Sequence, residues 1–405
     1  MDKYDVVVIG AGPSGLSVSK TVAKSGKKVL IVDKDPLGGT CLNYGCMPTK
    51  FRLRFGKDAS SLEQQRKMVT SLNSAIEKSL RKQGIDVLRG KAQIKDERLV
   101  VVDGKEILAE NVVVTIGSKS RTLLGVEFDG RRIFRAEDLL WYWPNREINL
   151  LQIIGAGPIG IEFAFMFRPL AKRIVVCDVA DEILPREDKE LAGRLRAFMK
   201  KMGVEFILGR SSSLIEEADI VLISIGREAD KEGIEELFSG QIKVDLTESG
   251  YINVDEYLCS SVDWIYCAGE CIGKMFFAYT ASYEGKVCAL NLLGKKRPIF
   301  YPAIPRCVFS DPPFCSVGFP EQGLIYGTLN YPHGEMYYLY PVTGKIKVGI
   351  DSQGIVRFAG IFGPGASELL PLFTLAIEKE MRFSDLKEML YVHPTLSEAV
   401  ARINF

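Results

Sequence analysis

The chain has 405 residues, more than a single ordinary domain, so two or three domains with sizeable cores are expected. It is 47% hydrophobic and 25% charged, and 52 basic residues against 51 acidic ones leave a net charge of +1, which argues against the broad basic surface that nucleic-acid binding usually needs. No apolar run reaches the roughly 18 to 20 residues of a membrane span, and no basic leader with a long apolar stretch precedes Val6, so a cytoplasmic protein without membrane anchor or signal peptide is expected.

Asp5 to Ile9 predicts a strand that runs into Gly10-Ala11-Gly12-Pro13-Ser14-Gly15, followed by a helix to about Ser25 and a second strand, Val29 to Val32, ending in Asp33. In such a turn the first glycine permits the bend, the second lets backbone N–H groups approach a pyrophosphate, and the third lets helix pack on strand. The helix N-terminus adds partial positive charge, and the acid can accept a hydrogen bond from a ribose 2′-hydroxyl. Next comes Cys41-Leu42-Asn43-Tyr44-Gly45-Cys46, preceded by Gly38-Gly39-Thr40 and followed by Met47-Pro48-Thr49-Lys50. At this spacing the two sulfurs can meet across roughly one and a half helical turns if the first turn is distorted, as Gly39 and Gly45 allow. Val112 to Ile116 then predicts a strand returning to the same sheet and presenting Gly117-Ser118 to the nucleotide.

The plan repeats further on. Leu150 to Ile154 runs into Gly155-Ala156-Gly157-Pro158-Ile159-Gly160, a helix to about Leu170, and a strand Ile174-Val175-Val176 ending near Asp178. Asp178 stands as far after Gly155 as Asp33 stands after Gly10, so two βαβ dinucleotide units, and two dinucleotides, are implied. Asp178 should accept from a ribose 2′-hydroxyl and repel a 2′-phosphate, and Val179 and Ala180 offer no arginine for such a phosphate; NAD is therefore expected over NADP. Ile220 to Ile225 predicts another strand ending in Gly226-Arg227. After about Lys296 the texture changes to short strands, prolines and turns, with a helix near Glu368 to Lys379, which reads as a third, non-Rossmann domain.

Nine cysteines are scattered along the chain without the regular framework of a secreted scaffold. Cys177, Cys267, Cys288, Cys307 and Cys315 sit in apolar contexts and read as buried small hydrophobes. Cys41 and Cys46 differ: they form neither a C-x-x-C pair nor half of a zinc site, and no metal is expected. A disulfide beside a flavin ring can accept electrons as a pair, and at least one resulting thiol must ionise to react further.

The run from Gly38 to Lys50 resembles the redox-active disulfide signature of the class I pyridine nucleotide-disulfide oxidoreductases. The likeness extends to both glycine motifs, to Tyr266-Cys267-Ala268-Gly269-Glu270, and to His393-Pro394-Thr395-Leu396-Ser397-Glu398. It implies an α/β fold with two Rossmann-like dinucleotide-binding domains and a C-terminal α+β dimerisation domain. Boundaries are expected at 1–119 with 250–298 for FAD, 120–249 for NAD and 299–405 for dimerisation. FAD would lie on Gly10, Gly12, Ser14, Gly15, Asp33, Lys34, Gly39, Thr40, Thr115, Gly117, Ser118, Gly269, Glu270, Phe277 and Ala278, with Cys46 and Lys50 facing the flavin. NAD would lie on Gly155, Gly157, Ile159, Gly160, Asp178 and Gly226. By the same resemblance Cys41 exchanges with substrate, Glu162 pairs with Lys50 near the flavin, and His393 with Glu398 forms the catalytic base of a homodimer, delivered in trans.

Where the family normally has aspartate this chain has Glu270, and Tyr391 replaces a histidine often found two places before the catalytic one. The chain is also shorter than is usual in the family, with the stretches 51–90 and 209–219 trimmed. Within the family the likeness is nearest to dihydrolipoamide dehydrogenase, with a dihydrolipoyl dithiol as substrate. Reductases resembling those of glutathione or mercuric ion, and a non-catalytic redox-sensing flavoprotein, are the alternatives. Of the two histidines, His333 reads as part of an exposed turn, leaving His393 as the base.

Overall fold

Continuous apolar runs make the centre of the first sheet, because a parallel strand buried on both faces has no polar side to present. In the computed structural model, which describes all residues except 57, 145, 212, 333–335 and 342, the strand Asp2–Ile9 pairs in parallel with Val29–Asp33 on one side and Lys105–Val114 on the other. Val6, Val7, Val8, Val112, Val113 and Val114 are all buried. Asp86–Arg89 extends the sheet beyond Val29–Asp33, and Ile265–Cys267 joins in parallel beside Val112–Val114. The strands Leu99–Val102 and Ala92–Asp96 add an antiparallel edge.

The chain divides into two compact units. The first comprises Met1–Arg121, Ala136–Trp143 and Gly226–Ile299. Its glycine-turn helix, Pro13–Ala23, lies against Ala278–Leu292 at Gly285, where any Cβ would collide with the Ser14 carbonyl. The helices Cys46–Phe55 and Ser60–Lys82 also belong here.

The second unit comprises Thr122–Arg135, Pro144–Ile225 and Phe300–Phe405. A five-stranded parallel sheet runs in the order Val204–Ile207, Ala171–Cys177, Ile148–Ile154, Ile220–Ile223 and Ile133–Arg135. An antiparallel sheet follows in the order Arg306–Val308, Phe314–Gly318, Val356–Phe362, Gly344–Ile350 and Ile325–Tyr331. The helix Ala366–Glu378 buries Leu369, Leu370, Phe373 and Ile377 against it. The expected α/β class with an α+β C-terminal part is the observed one. Among the described residues no helix is long and apolar enough to cross a membrane.

Candidate active site

The cysteine pair sits where a helix is broken. Gly39–Asn43 forms one short helix and Cys46–Phe55 the next, with Tyr44 and Gly45 between them; Gly45 adopts φ −144°, ψ −108°, outside the helical region. Asn43 holds this break. Its amide nitrogen donates to the carbonyls of Pro36, Leu37 and Gly39 at 3.2, 3.0 and 2.9 Å, its Oδ1 accepts from Asn73 at 2.9 Å, and its carbonyl accepts from the Trp141 indole at 3.1 Å. The Thr49 hydroxyl donates to the Gly45 carbonyl at 2.6 Å.

Cys41 and Cys46 are both partly buried thiols joined by a hydrogen bond. That hydrogen bond and burial push the Cys41 thiol far above the ordinary thiol range; Glu270 adds to the rise, and Lys50 works against it. Making the Cys41 sulfur nucleophilic near neutral pH therefore calls for a base.

The dithiol loop is seated directly on the first glycine turn. Gly38 donates its N–H to the Ala11 carbonyl at 2.8 Å, and a Cβ on Gly39 would lie 2.7 Å from the Gly12 Cα, so only glycine lets the two backbones approach. Gly10, at φ 105°, and Gly15 are required by the protein itself, since a Cβ would collide with the carbonyls of Thr115 and Gly10 respectively. Thr115 braces this turn through its hydroxyl, which donates toward the Ile9 and Gly10 carbonyls at 3.1 and 2.7 Å.

Gly12 is different, for its φ of −71° is open to any residue and the nearest atom to an added Cβ is 4.0 Å away. At a helix N-cap Ser, Thr, Asp or Asn would ordinarily be favoured, so the glycine is explained by something that must approach the turn from outside. The Ser14 hydroxyl beside it is buried with no protein partner among the described residues, as is that of Thr280. These features fit a pyrophosphate. Asp33 accepts from the Ala11 N–H at 2.5 Å and the Asp35 N–H at 2.9 Å, which positions its carboxylate while leaving lone pairs for a ribose. Burial raises its pKa against those two bonds. Lys34 and Thr40 are exposed, Gly117 is left-handed at φ 79° with open space at its Cβ position, and Phe277 caps the helix that Ala278 begins.

Glu270 is committed to a cluster that the sequence reading missed. Arg227, with a side chain only 11% exposed, donates to Glu270 at 3.0 Å, to Glu137 at 2.6 Å, and to the Ser118 hydroxyl and carbonyl at 2.8 and 2.7 Å. Ser118 also bonds Glu270, and Ser120 bonds both oxygens of Glu137. Burial opposes the Arg227 charge, yet Glu270 and Glu137 outweigh it and raise its pKa. Glu284 was missed as well: fully buried, it accepts the Gly269 N–H at 2.7 Å. The only sequence signals were Arg227 directly after Gly226 and an acid inside an apolar helix.

The second glycine turn, in the other unit, repeats the first. Gly155 stands at φ 110° under Ser224, whose hydroxyl donates to the Ile154 and Gly155 carbonyls at 3.2 and 3.1 Å in the role of Thr115. Nothing lies within 4 Å of a Cβ built on Gly157, whereas one on Gly160 would strike the Gly155 carbonyl. Ile159 is partly exposed. Asp178 accepts from Ala156 at 2.6 Å and Ala180 at 2.9 Å. The open space at Gly157, again at a helix N-cap, fits a second dinucleotide. Gly226, at φ 101°, has open space at its Cβ position and belongs to the first unit.

Glu162 is buried and accepts the Phe309 N–H at 3.0 Å. His393 Nδ1 lies 2.8 Å from Glu398 Oε1, with the imidazole 64% exposed and the carboxylate 17% exposed, so the ring is oriented at one nitrogen and open at the other. His333 lies outside the described residues.

Residues 4–285 match the model of the pyridine nucleotide-disulphide oxidoreductases, and residues 304–403 match that family's dimerisation domain. A dihydrolipoyl dehydrogenase of Chlamydia pneumoniae is 30% identical, covering 98% of this chain and 96% of the relative, and one of Geobacillus stearothermophilus is 30% identical, covering 97% and 94%. The first of these alignments runs over 450 positions, more than this chain's 405 residues, so the relative carries internal segments that this chain lacks. Among solved structures, the HOCl-induced flavoprotein disulfide reductase RclA from Escherichia coli, in its Cu(II) complex, superposes with a TM-score of 0.89 at 24% identity over 99% of each chain. LpdA from Mycobacterium tuberculosis does so with a TM-score of 0.88 at 22% identity over 99% of each.

Proposed function

The chain belongs to the pyridine nucleotide-disulphide oxidoreductase family, as an FAD-dependent enzyme that uses NAD(H), and from that premise we propose that it oxidises a dihydrolipoyl dithiol through Cys41 and Cys46. The observation that carries this reading is the cysteine pair itself, clamped by Asn43 and seated through Gly39 on the first glycine turn. Bound FAD supplies the two-electron path between that pair and NAD.

The remaining steps fall to this chain's own residues. His393, with Nδ1 held by Glu398, takes a proton at its other ring nitrogen from a substrate thiol. The thiolate attacks the Cys41 sulfur of the Cys41–Cys46 disulfide, forming a mixed disulfide and releasing Cys46 as thiolate. The second substrate sulfur, deprotonated in turn, closes the substrate's own disulfide and expels Cys41. Lys50, which favours the Cys41 thiolate, sits on the same helix as Cys46 and stabilises negative charge there. Gly10, Gly12, Ser14, Gly15, Asp33 and Thr115 form the seat of FAD, and Gly155, Gly157, Gly160 and Asp178 that of NAD. The working unit is a homodimer in which His393 serves the cysteines of the partner subunit.

Steady-state turnover of NAD with dihydrolipoamide tests this against NADH- and NADPH-driven reduction of glutathione disulfide and coenzyme A disulfide. Dihydrolipoamide with NAD should give the highest kcat/KM. Faster reduction of either other disulfide would move the substrate assignment while leaving the family intact.

A further inference from the structure

Apart from Cys41 and Cys46, two cysteines face each other across neighbouring strands. Cys307 in Arg306–Val308 and Cys315 in Phe314–Gly318 are register partners in the antiparallel sheet, on its edge strand and the strand beside it. Directly opposed residues in such a ladder keep their Cα atoms about 4.5–5.5 Å apart, inside the roughly 4.4–6.8 Å that a disulfide spans. The two sulfurs lie 2.9 Å from each other. Cys315 is fully buried and Cys307 is partly exposed, so of the two only Cys315 has the burial that the sequence reading expected.

The backbone around the pair is fixed on both sides. The adjacent register partners, Arg306 and Ser316, both bind Glu187, at 2.6 Å from Arg306 Nε and 2.5 Å from the Ser316 hydroxyl. Two residues past Cys307, the Phe309 N–H is held by Glu162. Little movement separates two thiols so placed from a bond between them.

We propose that Cys307 and Cys315 form a second dithiol–disulfide couple, distinct from Cys41 and Cys46, which is oxidised by exchange with a low-molecular-weight disulfide and staples the edge strand of the antiparallel sheet. Cys307, the accessible sulfur, attacks the disulfide as a thiolate, giving a mixed disulfide and one small thiolate. Cys315 then loses its proton and attacks Cys307, displacing the second small thiolate, so that two protein thiols and one disulfide become one protein disulfide and two small thiols. The order follows from access and from Cys315 itself, whose hydrogen bond to Cys307 and burial hold its thiol far above the ordinary range, with Glu187 and Glu368 adding to the rise.

The sequence makes the test direct. No lysine or arginine lies between Cys307 and Lys345, so trypsin delivers both cysteines in one peptide that holds no other. Full-length holoenzyme is equilibrated in glutathione–glutathione disulfide mixtures, quenched with acid, alkylated and digested. As glutathione disulfide comes into excess, this peptide should escape alkylation and appear two hydrogens lighter than its dithiol form, and dithiothreitol before alkylation should return it to the doubly alkylated form. Cys315→Ala should accumulate a glutathione adduct on Cys307, while Cys307→Ala should leave Cys315 unmodified until guanidinium unfolds the chain. Two alkylated thiols in every mixture, or a wild-type adduct that stays on Cys307 without resolving, would overturn the proposal.

Discussion

Cys46 begins a helix whose N-terminal partial positive charge favours a thiolate, whereas the Cys41 thiol is held above its ordinary range. Cys41→Ser should therefore leave a Cys46 thiolate that gives the oxidised holoenzyme a long-wavelength charge-transfer absorbance without any reductant. Cys46→Ser should lack that band, and the reverse pattern would exchange the two roles. Arg227 makes a separate case. Replacing it with methionine strands Glu137 and Glu270 without their cation and should cost about 3–5 kcal/mol in guanidinium unfolding. Burial pushes the Glu137 carboxyl up, but Arg227 and Ser120 outweigh it and hold its pKa below the ordinary value. A depressed folded pKa gives stability that is full above the unfolded value and is lost as pH falls through the folded one. The difference between wild type and Arg227→Met should accordingly narrow as unfolding is measured at progressively more acid pH. Asp178→Ala should weaken discrimination between NAD and NADP, read from kcat/KM with each, by about 1–3 kcal/mol or roughly 5- to 150-fold. Cysteines, glycines and acids of this kind were legible because their chemistry fixes their spacing. Arg227, Asn43 and Glu284 were not, since their partners come from distant segments and nothing local marks a buried charge that finds its counter-ion.

At the level of the strand–turn–helix unit, the glycines separate into two kinds. Gly160 is demanded by the protein, because a Cβ there meets the Gly155 carbonyl and lies 2.9 Å from the Ser224 hydroxyl; Gly157 is not, having open space and an ordinary φ of −74°. Gly157→Ala should thus cost at most about 1 kcal/mol of stability, the loss of a good N-cap, while weakening NADH binding about tenfold or more. Gly160→Ala should cost about 1–3 kcal/mol in folding before any ligand is added. Chemical denaturation paired with NADH titration of both variants checks the division, and equal losses of stability would remove it. The strands themselves were readable from their apolar runs, and the broken helix from Gly39 and Gly45. The family resemblance already joined 250–298 to the first domain, but the assignment of Ala136–Trp143 and of 226–249 to the first unit was not legible, because such a return is decided by packing that no local pattern encodes.

For the whole molecule, the C-terminal region that matches a dimerisation domain carries His393 with its ring largely exposed and Glu398 oriented behind it. If each working site takes its cysteines from one chain and His393 from the other, inactive Cys41→Ser and inactive His393→Ala subunits should restore activity on mixing. Each heterodimer then holds one intact site of two, so specific activity should approach half that of wild type when every molecule is a heterodimer. A fully active monomer in sedimentation, or no recovery despite demonstrated subunit exchange, would refute the shared site. Dimerisation was read from the family resemblance and from no feature of composition or periodicity, because a two-fold surface is built from side chains that are scattered along the chain.

The contact of Gly39 with Gly12 also bears on how such a chain can change through descent. A side chain at position 39 has nowhere to go unless the backbone at position 12 retreats, and position 12 must stay open toward the pyrophosphate seat. Compensation by a partner change, the usual route by which packed residues drift together, is closed here because neither position has a smaller residue to offer. The two sites should be invariant as a pair among relatives that keep this dithiol loop, and free to vary together only in lineages that have lost it.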